Sequence, residues 1–332
     1  NGLLLKLYLD NMNINSIHEK HNLRFCWLTI IFLGIFTSHL SEFFFDGSGS
    51  IDFFNNPSSF LSIICLFLIL TIGISHGALD NLKGYKLLEF YKIRNKAFFY
   101  LIYSFIAVLI ACIWFFFPSI VLTIFLVFAA YHFGKEDCSF IELKSSSVNS
   151  IKFFLKGSLI ISLPLFCKFD ETLEIFKSLY IKNNVFFDTL IFFDDKNIFL
   201  YLVLASFLTN FFISKNNRII LVSESFVLFL LNLSTAPLVA FTIYFCFLHS
   251  VRHSISLAHE LNTKNFKAGL KNFLNKILPL TLITAIAFII CLFVLQKYYS
   301  LNDAILKVIF IGLASLTFPH ILLEYLVEKN EK

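Results

Sequence analysis

The sequence predicts an all-α fold, a polytopic transmembrane helical bundle of about ten spans, within a range of eight to ten. Three observations carry that expectation. Of 332 residues, 58% are hydrophobic, and mean hydropathy is +0.78. The apolar residues come in runs of about 20, the length that crosses a hydrocarbon core as a helix. The breaks between runs are short and charged, so a second, soluble core has nowhere to form.

In chain order the expected spans are approximately 26–45, 60–79, 97–117, 118–134, 151–169, 198–213, 219–235, 237–258, 276–296 and 304–326. The first is too long for the apolar region of a signal peptide. Pro118 and Pro237 each interrupt a longer apolar stretch and are read as tight turns between two spans, because proline disfavours helix continuation. The short run 118–134 must be helical if it meets lipid, where unpaired backbone groups are not tolerated.

Basic residues fall in alternate connections. Lys83, Lys86, Lys92, Arg94 and Lys96 crowd one, Lys215 and Arg218 mark another, and Lys264, Lys267, Lys271 and Lys276 a third. The intervening connections carry acids instead: Asp46 and Asp52 in one, and Asp170, Glu171, Glu174, Asp188, Asp194 and Asp195 in another. The positive-inside rule then places the basic loops and both termini in the cytoplasm, as expected of a multi-pass protein of a cell inner membrane. The organisation is an N-terminal cytoplasmic segment 1–25, one transmembrane catalytic domain 26–326 and a C-terminal tail 327–332.

The net charge of +5 sits in these short loops, where it sets orientation, so nucleic acid is not expected as a partner. Seven cysteines are scattered singly without a Cys-x-x-Cys pair, and read as small buried hydrophobes. The 45 phenylalanines are spread over every span and read as lipid-facing filling.

Histidine is the anomaly. His76, His132, His249, His253 and His320 lie inside or at the ends of spans, where ionisable side chains are costly and mark functional sites. With the orientation above, all five fall in the cytoplasmic half of the membrane. His249 and His253 are spaced i, i+4 and share a helical face. Each of the other three has an acid one turn later, Asp80, Glu136 and Glu324, which could be an extra ligand or could orient a ligating imidazole through its second nitrogen. Imidazoles without thiolate suit iron, copper, zinc or nickel. Arg252, beside the pair, needs a carboxylate or carbonyl partner and reads as half of a structural ion pair.

The motifs Ser75-His76-Gly77-Ala78-Leu79-Asp80, Tyr131-His132-Phe133-Gly134, Leu248-His249-Ser250-Val251-Arg252-His253, and Pro319-His320 with Glu324 together resemble the Brp/Blh family of membrane β-carotene cleavage enzymes, over roughly residues 60–326. The resemblance implies an iron(II) dioxygenase that splits the central double bond of β-carotene into two retinal molecules, the chromophore of microbial rhodopsins. It implies His76, His132, His249 and His253 as the ligands of Fe(2+). His320 is left as an extra ligand, a group bonded to a ligand, or part of the substrate cleft. β-Carotene and dioxygen would be the substrates, the bilayer the medium, and a rhodopsin or carotenoid-synthesis enzyme a conceivable neighbour. A lipid-dissolved hydrocarbon calls for a lateral entrance between helices, and Tyr131, Phe133, Phe245, Phe247 and Phe318 are the aromatic residues nearest the motifs.

Two other readings compete. A membrane di-iron hydroxylase or desaturase would use more histidine boxes than the one seen here, or would recruit Asp80, Glu136 and Glu324 as ligands. A metal or proton transporter would spread ionisable groups across the membrane depth and show internal repeats.

Overall fold

Among residues 14–45, 59–141 and 148–331, described by a computed structural model without the side chains of 36–45, 59, 76 and 331, every expected apolar run is helical and no strand occurs. The elements are α1 (Ile14–Phe45), α2 (Ser59–Leu68), a π segment (Ile69–Gly73), a 3-10 segment (Ile74–Leu79), α3 (Asp80–Phe90), α4 (Ala97–Phe116) and α5 (Pro118–Glu136). They continue with α6 (Asn149–Cys167), α7 (Phe169–Ser178), α8 (Asn184–Asp195), α9 (Ile198–Phe212), α10 (Arg218–Ser234) and α11 (Pro237–Ile243). A second π segment (Tyr244–Ser250), α12 (Val251–Leu261), α13 (Phe266–Leu295) and α14 (Leu301–Glu331) complete the chain.

Seven helical stretches among the described residues are long and apolar enough to cross a membrane: Phe60–Phe90, Ala97–Phe116, Pro118–Glu136, Asn149–Cys167, Pro237–Leu261, Phe266–Leu295 and Leu301–Asn330. This is fewer than the ten expected, for stated reasons. At 15 and 17 residues, α9 and α10 extend only about 22 and 26 Å at 1.5 Å per residue, against a core of about 30 Å. The run 26–45 ends on side chains outside the described set, and the loop with Asp46 and Asp52 lies outside it altogether. The two prolines act as expected: Pro118 and Pro237 each occupy a first helical position, where the missing N–H costs nothing.

His76 was expected to close the second span. Its backbone instead lies in the 3-10 segment, inside a helical stretch of 31 residues that runs on to Phe90. The two π segments that flank this region pack on one another. Gly73 makes that contact close, since a Cβ there would meet the Phe245 ring at 2.6 Å, and Ser250 Oγ donates to the Gly73 carbonyl at 2.7 Å. Wider π turns change which face a residue presents, and they cluster at functional sites. Here the second one carries His249, and His253 follows on α12.

α5 packs on α6 through two glycines. A Cβ on Gly134 would collide with the Phe153 carbonyl, and one on Gly157 with the Ala130 carbonyl. Both obstacles are backbone and cannot swing aside. Gly134→Ala is therefore expected to destabilise by about 1–3 kcal/mol, the usual cost of overpacking, and to lower the melting temperature in detergent. Because α5 carries His132 two residues before Gly134, it should also weaken metal retention.

α1 begins beneath this core. His18 is 1% exposed, stacked on Phe140 with ring centroids 5.4 Å apart and bonded to Ser256 Oγ at 3.2 Å. All seven cysteines are free, and five of them are buried or half-buried.

Candidate metal centre

Four of the five histidines can be placed with their side chains: His132 on α5, His249 on the second π segment, His253 on α12 and His320 on α14. All are buried. Ring centroids lie 5.0 Å apart for His132 and His320, 5.6 Å for His132 and His249, and 6.2 Å for His253 and His320. Helices from distant parts of the chain thus bring four imidazoles into one cluster. The side chain of His76 lies outside the described residues, while its neighbours Ile74, Gly77, Ala78 and Asp80 line the same cavity as His132, His249 and His320.

A carboxylate sits behind each ring, and it is not the acid expected. The sequence spacing pairs His76, His132 and His320 with an acid one turn later on the same helix, and names none for His249 and His253. In the folded chain the partners come from other helices. His320 Nδ1 meets both Asp80 oxygens at 2.9 and 2.8 Å, and His253 Nδ1 meets Glu136 Oε2 at 2.6 Å. His249 Nδ1 meets Asp137 Oδ1 at 3.2 Å, and His132 Nδ1 lies 3.5 Å from Glu324. Only His320 keeps its own acid near, with Nε2 3.7 Å from Glu324. The reason is geometric: residues four apart stand side by side on one face, whereas the far nitrogen of a ring is reached from an opposing helix.

An ionised carboxylate only accepts, so a neutral ring at His249, His253 or His320 would keep its proton on Nδ1 and its lone pair on Nε2. That is the tautomer a metal ligand needs.

Asp137 escaped the sequence reading, being one of three consecutive charges, Lys135, Glu136 and Asp137, that look interfacial. It is 3% exposed. Tyr244 donates to its Oδ2 at 2.8 Å, and Arg252 reaches its Oδ1 at 3.2 Å and its backbone carbonyl at 3.2 Å. Burial alone would raise the Asp137 carboxyl, but the guanidinium and the His249 bond overcome that and hold it below the ordinary carboxylate range. A depressed pKa means that its contribution to stability is present above the unfolded value and lost as pH falls through the folded one. Tyr103 donates to Asp80 Oδ2 at 2.8 Å. Asp137→Asn keeps the shape but lets the amide present a donor to Nδ1, and is expected to weaken iron binding about 10–100-fold in a chelator competition.

Arg252 has the structural ion pair expected of it. Its Nη2 bonds Glu224 Oε2 at 2.9 Å, and Lys156 takes the other Glu224 oxygen at 3.1 Å. Glu324 is likewise anchored by Lys83 at 2.8 Å.

The charge balance of the cluster matters for what it holds. Asp80, Glu136, Asp137 and Glu324 are met by Lys83 and Arg252, while Lys156 pairs with Glu224 and Lys135 with Glu328. With neutral imidazoles, the cluster carries a residue of two negative charges, costly in a low-dielectric interior unless neutralised. One divalent cation neutralises them. Among the described residues, two sets offer ligand atoms within 4.8 Å of one another: His132, His320 and Glu324, and Glu136, His253 and Glu324. His249 stands at the rim of these sets, so Glu324 and His320 join the metal question on equal terms with the histidines expected as ligands.

A cavity of about 490 Å³ opens beside the histidines. It is lined by His132, Phe133, Phe245, His249 and His320 on its inner side and by stretches of α4, α13 and α14 on its outer side. That is within the roughly 300–1,000 Å³ of small-molecule sites. Of the five aromatic residues expected near a substrate, Phe133 and Phe245 line it. Tyr131 packs on Phe153, Phe318 on Phe128, and Phe247 is 38% exposed on another face.

A family model described as beta-carotene 15,15'-dioxygenase matches residues 67–328, the stretch that contains every element of the cluster. The chain belongs to the β-carotene 15,15'-dioxygenase family. It is thus an oxidoreductase, a carotenoid cleavage dioxygenase, and the hydroxylase and transporter readings lapse. A β-carotene 15,15'-dioxygenase of the uncultured marine bacterium 66A03 is 29% identical over 260 residues, covering 78% of this chain and 90% of that protein. No solved structure matches.

Proposed function

We propose that this dioxygenase splits the central double bond of β-carotene at an iron(II) centre, giving two retinal molecules that serve a microbial rhodopsin as chromophore. The observation that carries the reading is a cluster of buried imidazoles, each backed by a carboxylate and lying against an apolar cavity, in a chain of this family. Iron would be held by His132, His249 and His253 together with His76, and His320 and Glu324, which share a candidate ligand group with His132, would complete or adjust the set. When bound, iron(II) supplies the activation of dioxygen that no side chain here can provide.

The chain's own residues do the rest. Asp80, Glu136, Asp137 and Glu324 fix the imidazole tautomers. Phe133 and Phe245 give an apolar wall against which a polyene lies flat and from which water is excluded. The stoichiometry needs no proton or electron from outside, since one dioxygen gives one oxygen atom to each of two aldehydes.

A two-iron centre is the second reading, favoured by the two ligand sets that share Glu324. The charge balance favours one ion. The alternation of basic and acidic loops supports an inner-membrane protein with cytoplasmic termini, in which α9 and α10 are short passages that bring the total toward ten. Expression in β-carotene-producing cells should bleach their orange colour, with retinal extracted in its place, and the purified protein should contain near one iron per chain. Persistent colour over abundant iron-loaded protein would sink the reaction, and two irons per chain the single-ion centre.

A further inference from the structure

The structure locates a lateral entrance. We infer that lipid-dissolved substrate reaches the histidines through the seam between α4 and α13, an inference that rests on the carotene-cleaving reading of the cavity.

These two helices are the most lipid-exposed of the seven spans, with 6% of each membrane-length window buried against 39–61% for the other five. Both pack on α14. The cavity occupies the seam between them, floored by α14 from Leu313 to His320. α4 contributes Tyr100, Ser104 and Ala107, spaced so as to form a stripe on one helical face. α13 contributes Ile283 and Thr284 opposite.

Two of these residues serve both sides of the wall. Tyr100 is 37% and Ile283 63% exposed, yet both line the cavity whose inner end is the histidine cluster. Where both hold, the cavity wall is one side chain thick, and on these two helices that thin wall lies on the face least covered by the rest of the protein.

The surroundings suit a long apolar occupant. Openings to water are rimmed by charge, whereas α13 from Leu278 to Leu295 and α4 from Ala97 to Phe116 carry none. Pro279 lies inside α13 one turn before Ile283. Lacking an N–H, it removes one backbone bond from that wall, so the seam can widen at less cost than between two uninterrupted helices. A polyene is long and thin, and entering sideways lets its central bond reach the histidines while one end stays in the bilayer.

The test is reversible blockade. In a background where the exposed native thiols Cys112 and Cys291 are serine, Ser104→Cys is labelled with methanethiosulfonate reagents of increasing size, in vesicles containing β-carotene. Retinal formation should fall in proportion to the labelled fraction, fall further with larger reagents, and return when reductant removes the label. Ile283→Cys on the facing helix should behave alike, and provides the test if Ser104→Cys does not accumulate. The same label on Ile219→Cys, 82% exposed on α10 away from the seam, should leave the rate unchanged. Undiminished turnover by fully labelled protein at both seam positions overturns the entrance. Absence of retinal from the unlabelled wild type overturns the carotene-cleaving reading itself, a different outcome.

Discussion

Replacement of His253 by alanine is expected to abolish retinal formation, with a loss beyond the roughly 100-fold that removing only the partner of a ligand would cost. The ring is buried, lies 6.2 Å from His320, and is held by Glu136 at 2.6 Å. Deleting it removes a proposed ligand and also leaves the Glu136 carboxylate, at the edge of a cluster that is two charges negative with neutral imidazoles, without its donor. Two measurements separate these effects. Iron content after purification reports the ligand, and the melting temperature of metal-free protein reports the unpaired acid. His249→Ala should likewise abolish turnover and exposes Asp137 in the same way, though Asp137 keeps Tyr244 and Arg252, so its metal-free stability should fall less. His320→Ala decides between roles. Loss of iron equal to that of His253→Ala makes it a ligand, and retention of iron with slowed turnover makes it a group of the cleft.

Arg252→Met should cost about 3–5 kcal/mol of stability, the largest structural effect expected of any substitution outside the imidazoles. Methionine keeps much of the apolar stem but strips the cation from between Asp137 and Glu224, both buried. Lys156 still compensates Glu224, so the uncompensated charge is chiefly that of Asp137. Thermal unfolding in detergent measures the loss. The double variant Arg252→Met with Asp137→Asn should recover a substantial part of it while leaving iron affinity impaired, which divides the charge effect from the positioning of His249.

How much of this was legible in the sequence follows from what each signal encodes. Apolar run length is a local property, and it placed the helices, the turns at Pro118 and Pro237, and the histidines within them. The 3-10 and π segments were not legible, because they arise from packing of Gly73 against Phe245 and from a cross-helix bond to Ser250. Spacing named Asp80, Glu136 and Glu324 as acids of the site and paired Glu324 with His320, but it could not show that Glu136 meets His253 or that Asp80 meets His320, since spacing knows only one helix at a time. Asp137 was hidden among neighbouring charges, and no periodicity separates a buried acid from an interfacial one at a helix end. The resemblance to a carotene-cleaving family rested on four short motifs held in order. The family match spans the same stretch.

The exchange of acids between helices bears on how the protein is made. Asp80 and His320 are 240 residues apart, His249 and Asp137 112, and His253 and Glu136 117. During synthesis the early carboxylates enter the membrane region long before the imidazoles that will hold them. Until α14 docks, Asp80 and Glu324 have no complete set of partners. The His249–Asp137 and His253–Glu136 pairs can close before α14 arrives, whereas Asp80–His320 and His132–Glu324 close only with it, and a complete metal site can only follow. A chain released one helix early would be neither a weaker enzyme nor a partial one, but an unassembled membrane protein exposed to quality control.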